Sequence, residues 1–82
     1  MIKKVIEATK EFKTKSGHWK VKFVDDGRNV IGIKRYMCYP DSTRKSGFYE
    51  KIDIYWEETR ENANKYYLQL KKEGYEIKNI VG

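Results

Sequence analysis

The stretch His18–Met37, HWKVKFVDDGRNVIGIKRYM, decides the fold. Trp19, Val21 and Phe23 alternate with His18, Lys20 and Lys22, which is the period of a strand with one buried face. Asp25-Asp26-Gly27 interrupts the run with turn-forming residues, and the apolar pattern resumes from Val30 to Met37. The reading is a β-hairpin with two competing registers. A two-residue loop, Asp26-Gly27, pairs Val21 with Gly32 and Trp19 with Lys34. A three-residue loop, Asp25 to Gly27, pairs Val21 with Ile31 and Trp19 with Ile33, gathering the large apolar residues on one face. A slip of one residue turns the whole set to solvent, so the pattern selects the three-residue loop. On that register the opposite face carries His18, Lys20, Lys22, Lys34 and Tyr36, with Gly32 leaving a flat gap among them. His18 then faces Lys34, and Cys38 lies beyond the strand end.

Outward from the hairpin, residues 2–14 fit two periods. Ile2, Val5, Ile6, Thr9 and Phe12 suit a helix; Ile6, Ala8 and Phe12 suit one side of a strand. A turn at Lys15-Ser16-Gly17 leading straight into the hairpin favours a strand. Tyr39 to Gly47 is a polar loop carrying Arg44 and Lys45. Phe48, Ile52, Ile54 and Trp56 then alternate with Tyr49, Lys51, Asp53 and Tyr55, a fourth strand with its apolar set inward and Tyr49 and Tyr55 toward solvent. Thr59 is placed as a helix N-cap. Ala63, Tyr66, Tyr67 and Leu70 form one apolar stripe at helical spacing. Glu57, Glu58 and Glu61 at its start and Lys71 and Lys72 at its end suit the helix dipole, and Gly74 is placed to terminate it. Tyr75 to Val81 reads as a last strand.

The predicted order is therefore β-β-β-β-α-β. This is an α+β, two-layer fold in which a curved, mainly antiparallel sheet of four to five strands packs on one helix in the C-terminal half. Eighty-two residues make a single domain, 1–82. A chain of this size buries little more than ~60% of its unfolded surface, so its core is small and a homodimer through a sheet edge is a natural support.

Charge is unevenly distributed. Met1–Tyr49 holds 12 Lys/Arg against 5 Asp/Glu, whereas Glu50–Gly82 holds 6 against 7. Together with the hairpin register, this places a basic, tyrosine-bearing face on the sheet. Nucleic acids bind such faces through cations that replace phosphate counterions and rings on which bases stack. The residues expected to contact DNA or RNA are Lys20, Lys22, Lys34, Arg35, Tyr36, Arg44 and Lys45. The plainer explanation is that lysines on an exposed sheet face keep it soluble, and that Tyr favours strands whatever its task. The alternative function is a protein-interaction module for an acidic partner, such as a small mobile-element or phage-type inhibitor of a host protein.

Enzymatic chemistry is not expected. One His and one Cys offer no oriented third group, and no zinc-ligand spacing or glycine-rich phosphate loop is present. Pro40-Asp41 with Glu76-Ile77-Lys78 echoes a metal-dependent nuclease pattern, but Glu-x-Lys recurs at Glu11-Phe12-Lys13, so the match carries little information. No cofactor is implied. The single cysteine, the short apolar run after Lys3-Lys4 and the absence of a membrane-length segment lead to a cytoplasmic expectation, with no membrane partner. The run from Ala63 to Ile77, a helix followed by Lys-Lys-Glu-Gly-Tyr and a strand, resembles the tail of WGR-type DNA-binding domains. The Trp-Gly-Arg tripeptide that defines them is absent, and no membership is claimed.

Overall fold

A computed structural model describes residues 2–13 and 16–81. Five strands and one helix follow in the expected order: β1 (Lys4–Glu11), β2 (His18–Asp25), β3 (Val30–Pro40), β4 (Phe48–Thr59), α1 (Arg60–Lys72) and β5 (Glu76–Val81). The strands form one antiparallel sheet in the order β4-β3-β2-β1-β5. The segment that fits two periods thus contributes a strand, Lys4–Glu11, and Thr14 lies outside the described residues. Lys15 of the expected turn lies outside the described residues, but the turn closes through Phe12 N–H donating to Gly17 O at 2.9 Å.

The helix forms where capping and stripe coincide. The Thr59 hydroxyl accepts from Asn62 N–H at 3.2 Å. At the other end Gly74 takes φ +95°, Tyr75 N–H reaches Leu70 O and Gly74 N–H reaches Lys71 O, which is a Schellman motif. Its inner stripe closes the core: Ala63 and Leu70 are buried with Ala8, Val21, Phe23 and Ile33, while Tyr66 and Tyr67 pack their rings against Phe23. We call this the helix side of the sheet and the other the open side.

The hairpin register differs from expectation. Val21 lies opposite Arg35 and Trp19 opposite Met37, not Ile31 and Ile33. The loop is longer because its own side chains hold it open. Asp25 Oδ1 accepts from Gly27 N–H at 2.9 Å, Asp26 Oδ1 accepts from Arg28 N–H at 3.2 Å, and Arg60 grips the Asp25 carboxylate with two hydrogen bonds. Odd-numbered residues still face odd-numbered ones, so Val21, Phe23 and Ile33 share the helix side as the pattern required.

β4 departs further. Its ladder with β3 shifts between Arg35 and Tyr36, so Arg35 pairs with Ile54 and Tyr36 with Ile52, leaving Asp53 as an extra residue. A bulge of this kind flips the side-chain alternation. Before it, Phe48 and Ile52 lie on the open side; after it, Ile54 and Trp56 lie on the helix side. The expectation that Phe48, Ile52 and Ile54 share a buried face therefore fails. All three are exposed, at 37%, 56% and 45%. Tyr55 and Tyr49 likewise project to opposite sides, open and helix respectively.

Candidate interaction surfaces

The open side is where four of the seven expected contact residues lie. Cross-strand register places Lys20, Lys22, Lys34 and Tyr36 together there. Neighbouring strands place carboxylates among them. Lys20 forms a short ion pair with Glu50 and lies 3.8 Å from Glu7, and Lys22 lies 3.7 Å from the same Glu7 oxygen. The Lys20 side chain is only 12% exposed. Burial pulls its pKa down, but the Glu50 hydrogen bond and the charges of Glu50 and Glu7 outweigh that, and the group stands above the usual lysine value. Lys20 and Lys22 both sit over the Tyr36 ring, 5.4 and 5.8 Å from its centroid, and Lys34 sits 5.7 Å over Tyr55. The gap at Gly32 is filled by Tyr55, whose ring lies over it. Register also puts Glu11, Glu57 and Glu76 on this side. The hairpin face is thus a mixed-charge surface whose lysines and tyrosines are engaged with one another and with glutamates.

His18 and Cys38 lie opposite each other in the ladder, contrary to the expected separation. They do not make an activated pair. Cys38 is fully buried, and burial pushes its thiol up against a smaller opposing pull from Lys20. The His18 ring meets Phe48 edge-on at 4.8 Å. No group of three or more His, Cys, Asp or Glu positioned for a metal ion occurs among the described residues.

The other three expected residues lie elsewhere. Arg35 projects to the helix side, and Arg44 and Lys45 sit on the 41–47 loop. A strand of 11 residues such as β3 runs about 36 Å, whereas a 13-residue helix runs about 20 Å, so α1 leaves one end of its side of the sheet uncovered. That end is aromatic. Phe12 meets Trp19 at 5.1 Å and Tyr39 at 5.7 Å, both edge-on. The Arg35 guanidinium lies 5.3 Å over Trp19 and is held by Asp53 through Nε (2.8 Å) and Nη2 (2.6 Å), a contact that raises its pKa. Tyr39 pairs with Tyr49 across β3 and β4, and its hydroxyl donates to Met37 Sδ at 3.5 Å. Arg44 lies 4.9 Å over the Tyr49 ring, fixed by Asp41 at 3.2 Å. The Asp41 carboxylate is in turn held below the usual range by hydrogen bonds from the Thr43 hydroxyl and amide.

Sequence reasoning missed this surface because Trp19 and Phe12 read as core. The available signal was length: a four-residue stripe on one helix cannot cover five strands. No helix among the described residues is long and apolar enough to cross a membrane. No protein-family model, curated protein or solved structure matches the chain.

Proposed function

We propose that this is a non-enzymatic protein-interaction domain that docks an acidic partner on the uncovered end of the helix side. One observation carries the reading. Phe12, Trp19, Arg35, Met37, Tyr39 and Tyr49 form a continuous half-exposed surface flanked by Arg44 and Lys45. Aromatic residues, Met and Arg are the types enriched at the centres of protein interfaces, and they anchor most of the binding energy where they occur. Arg35 and Arg44 are each balanced by one aspartate, Asp53 and Asp41, so the attraction for carboxylates comes from Lys45, which makes no ion pair among the described residues, while Lys20 and Lys22 on the open side are matched by Glu7 and Glu50.

A nucleic-acid reading keeps one supporting feature, the Arg44–Tyr49 stack beside Lys45. The two are separated by one experiment. The immobilised protein captures a partner from nuclease-treated lysate, and the identified partner is then purified and titrated against wild type and Trp19→Ala. Affinity should fall at least about tenfold in the variant. If capture disappears with nuclease, and the protein instead binds single-stranded DNA or RNA at low salt with a log–log salt slope of about −0.7 per phosphate contacted, the nucleic-acid reading replaces this one.

A further inference from the structure

β4 is an edge strand of 12 residues, and its neighbours leave one side of its backbone unpaired. Long apolar edges invite another strand, and natural proteins blunt them with charges and bulges. β4 has both devices, at Lys51 and at Asp53, but their placement selects a partner. Every other charged side chain of the strand is engaged within the chain. Glu50 pairs with Lys20, Asp53 with Arg35, Glu57 with Arg28 at 2.6 Å, and Glu58 accepts from Asn62 at 3.4 Å. Lys51 makes no ion pair, hydrogen bond or ring contact among the described residues. Both contacts from Arg35 fall on Asp53 Oδ2, so Oδ1 is left without a protein donor among the described residues.

Lys51 and Asp53 flank Ile52. Lys51 lies opposite Met37 and Asp53 reaches Arg35, so both occupy the helix side, while Ile52, 56% exposed, points to the open side. An antiparallel strand pair related by a two-fold axis brings residue i against its mirror position across the axis. With the axis at Ile52, each Lys51 meets the Asp53 of the other copy and the two Ile52 side chains meet each other. Axes at Lys51 or Asp53 set like charges face to face, and an axis at Ile54 sets Asp53, on the helix side, opposite Tyr55, on the open side, a pairing that a pleated ladder does not allow. The bulge assists: Asp53 and Ile54 both lie on the helix side, so the Lys51 stem has Ile54 to rest on while its ammonium meets the carboxylate.

We propose that β4 pairs antiparallel with β4 of a second copy of this chain about Ile52, each Lys51 meeting the free carboxylate oxygen of the other copy's Asp53. The result is a ten-stranded sheet across two protomers with both aromatic ends on the same side. The inference does not rest on the docking reading, since it is argued from the strand edge and not from Trp19, although Asp53 also holds Arg35 of that surface.

The test is sedimentation of the full chain at about 0.1 mM, where a micromolar pair is dimeric. Wild type should be a dimer that weakens as salt is raised. Lys51→Asp and Asp53→Lys each set like charges together and should be monomeric. An equimolar mixture of the two restores both opposite-charge contacts and should re-form a dimer at least tenfold tighter than either variant alone. Monomeric wild type, a dimer indifferent to Lys51→Asp, or a mixture that stays monomeric overturns the proposal. Asp53→Lys also removes the Arg35 partner, so circular dichroism checks its fold. If it is unfolded, Ile52→Lys serves instead: a folded monomer is expected, and a persisting dimer overturns the pairing. Trp19→Ala should leave association unchanged.

Discussion

The Tyr55 ring of β4 lies directly over Gly32 of β3. A Cβ built on Gly32 would stand 3.5 Å from the Tyr55 hydroxyl oxygen and 3.6 Å from Cε2, ordinary contact distances. Gly32→Ala should therefore be tolerated or stabilising, by up to about 1 kcal/mol, because glycine in a strand costs backbone entropy. Gly32→Ile should displace the ring and destabilise. Urea unfolding of the two variants checks both signs.

Gly17 is the opposite case. A Cβ there would come within 2.1 Å of the Cys38 carbonyl oxygen, at φ +155°. The obstacle is backbone, which cannot rotate aside. Gly17→Ala should cost about 2 kcal/mol or more, measured by the same unfolding experiment, and should exceed the effect of Gly32→Ala in every condition.

The acid limb of stability should report the 25–28 turn. The Arg60 hydrogen bonds, helped by the Gly27 amide, hold the Asp25 carboxyl well below the usual carboxylate range. Its folded pKa is depressed, so its contribution is present above the unfolded value and is lost as pH falls through the folded one. Stability should decline below about pH 4, the usual carboxylate range. Asp25→Asn should lower the plateau and flatten the decline. A decline of unchanged steepness in the variant would show that Asp25 does not set it.

Lys20 gives the mirror-image prediction. Its pKa is raised in the fold, so its contribution is complete below the unfolded value and is lost as pH rises through the folded one. Lys20→Met should cost about 1 kcal/mol at neutral pH, because it leaves Glu7 and Glu50 facing each other across its former place, and should weaken the loss of stability above about pH 10. Thermal melts at pH 7 and pH 10.5 measure it.

Ile33 is fully buried between Val21, Phe23 and the helix, whereas Trp19 is only half-buried at the uncovered end. Ile33→Ala should cost about 2–5 kcal/mol, and Trp19→Ala clearly less, by chemical denaturation. A Trp19→Ala loss as large as that of Ile33→Ala would mean that Trp19 belongs to the core.

Local chemistry made the helix legible in the sequence: Thr59, the Ala63–Leu70 stripe and Gly74 each carry out the part their residue type dictates. The sidedness of the hairpin was legible too, because apolar residues at odd positions must face odd positions whatever the loop length. The loop length itself was not. It depends on which backbone amides Asp25 and Asp26 capture, and two aspartates before a glycine suit loops of several lengths. The bulge at Asp53 was hidden for a different reason. β4 is apolar on both of its faces, so its pattern looks equally regular with or without an extra residue. The expected contact face is not basic because its counter-charges, Glu7 and Glu50, come from the strands outside the hairpin, β1 and β4, whose pairing with it the hairpin pattern alone does not specify.

The bulge has one more consequence. Deleting Asp53 would rotate everything between it and Pro40 by half a pleat. Phe48 and Ile52 would swing under the helix side, Tyr49 and the Arg44 loop would be re-aimed to the far surface, and no side chain in the segment would have changed its chemistry. In this strand the spacing of residues, as much as their identity, directs where the molecule points.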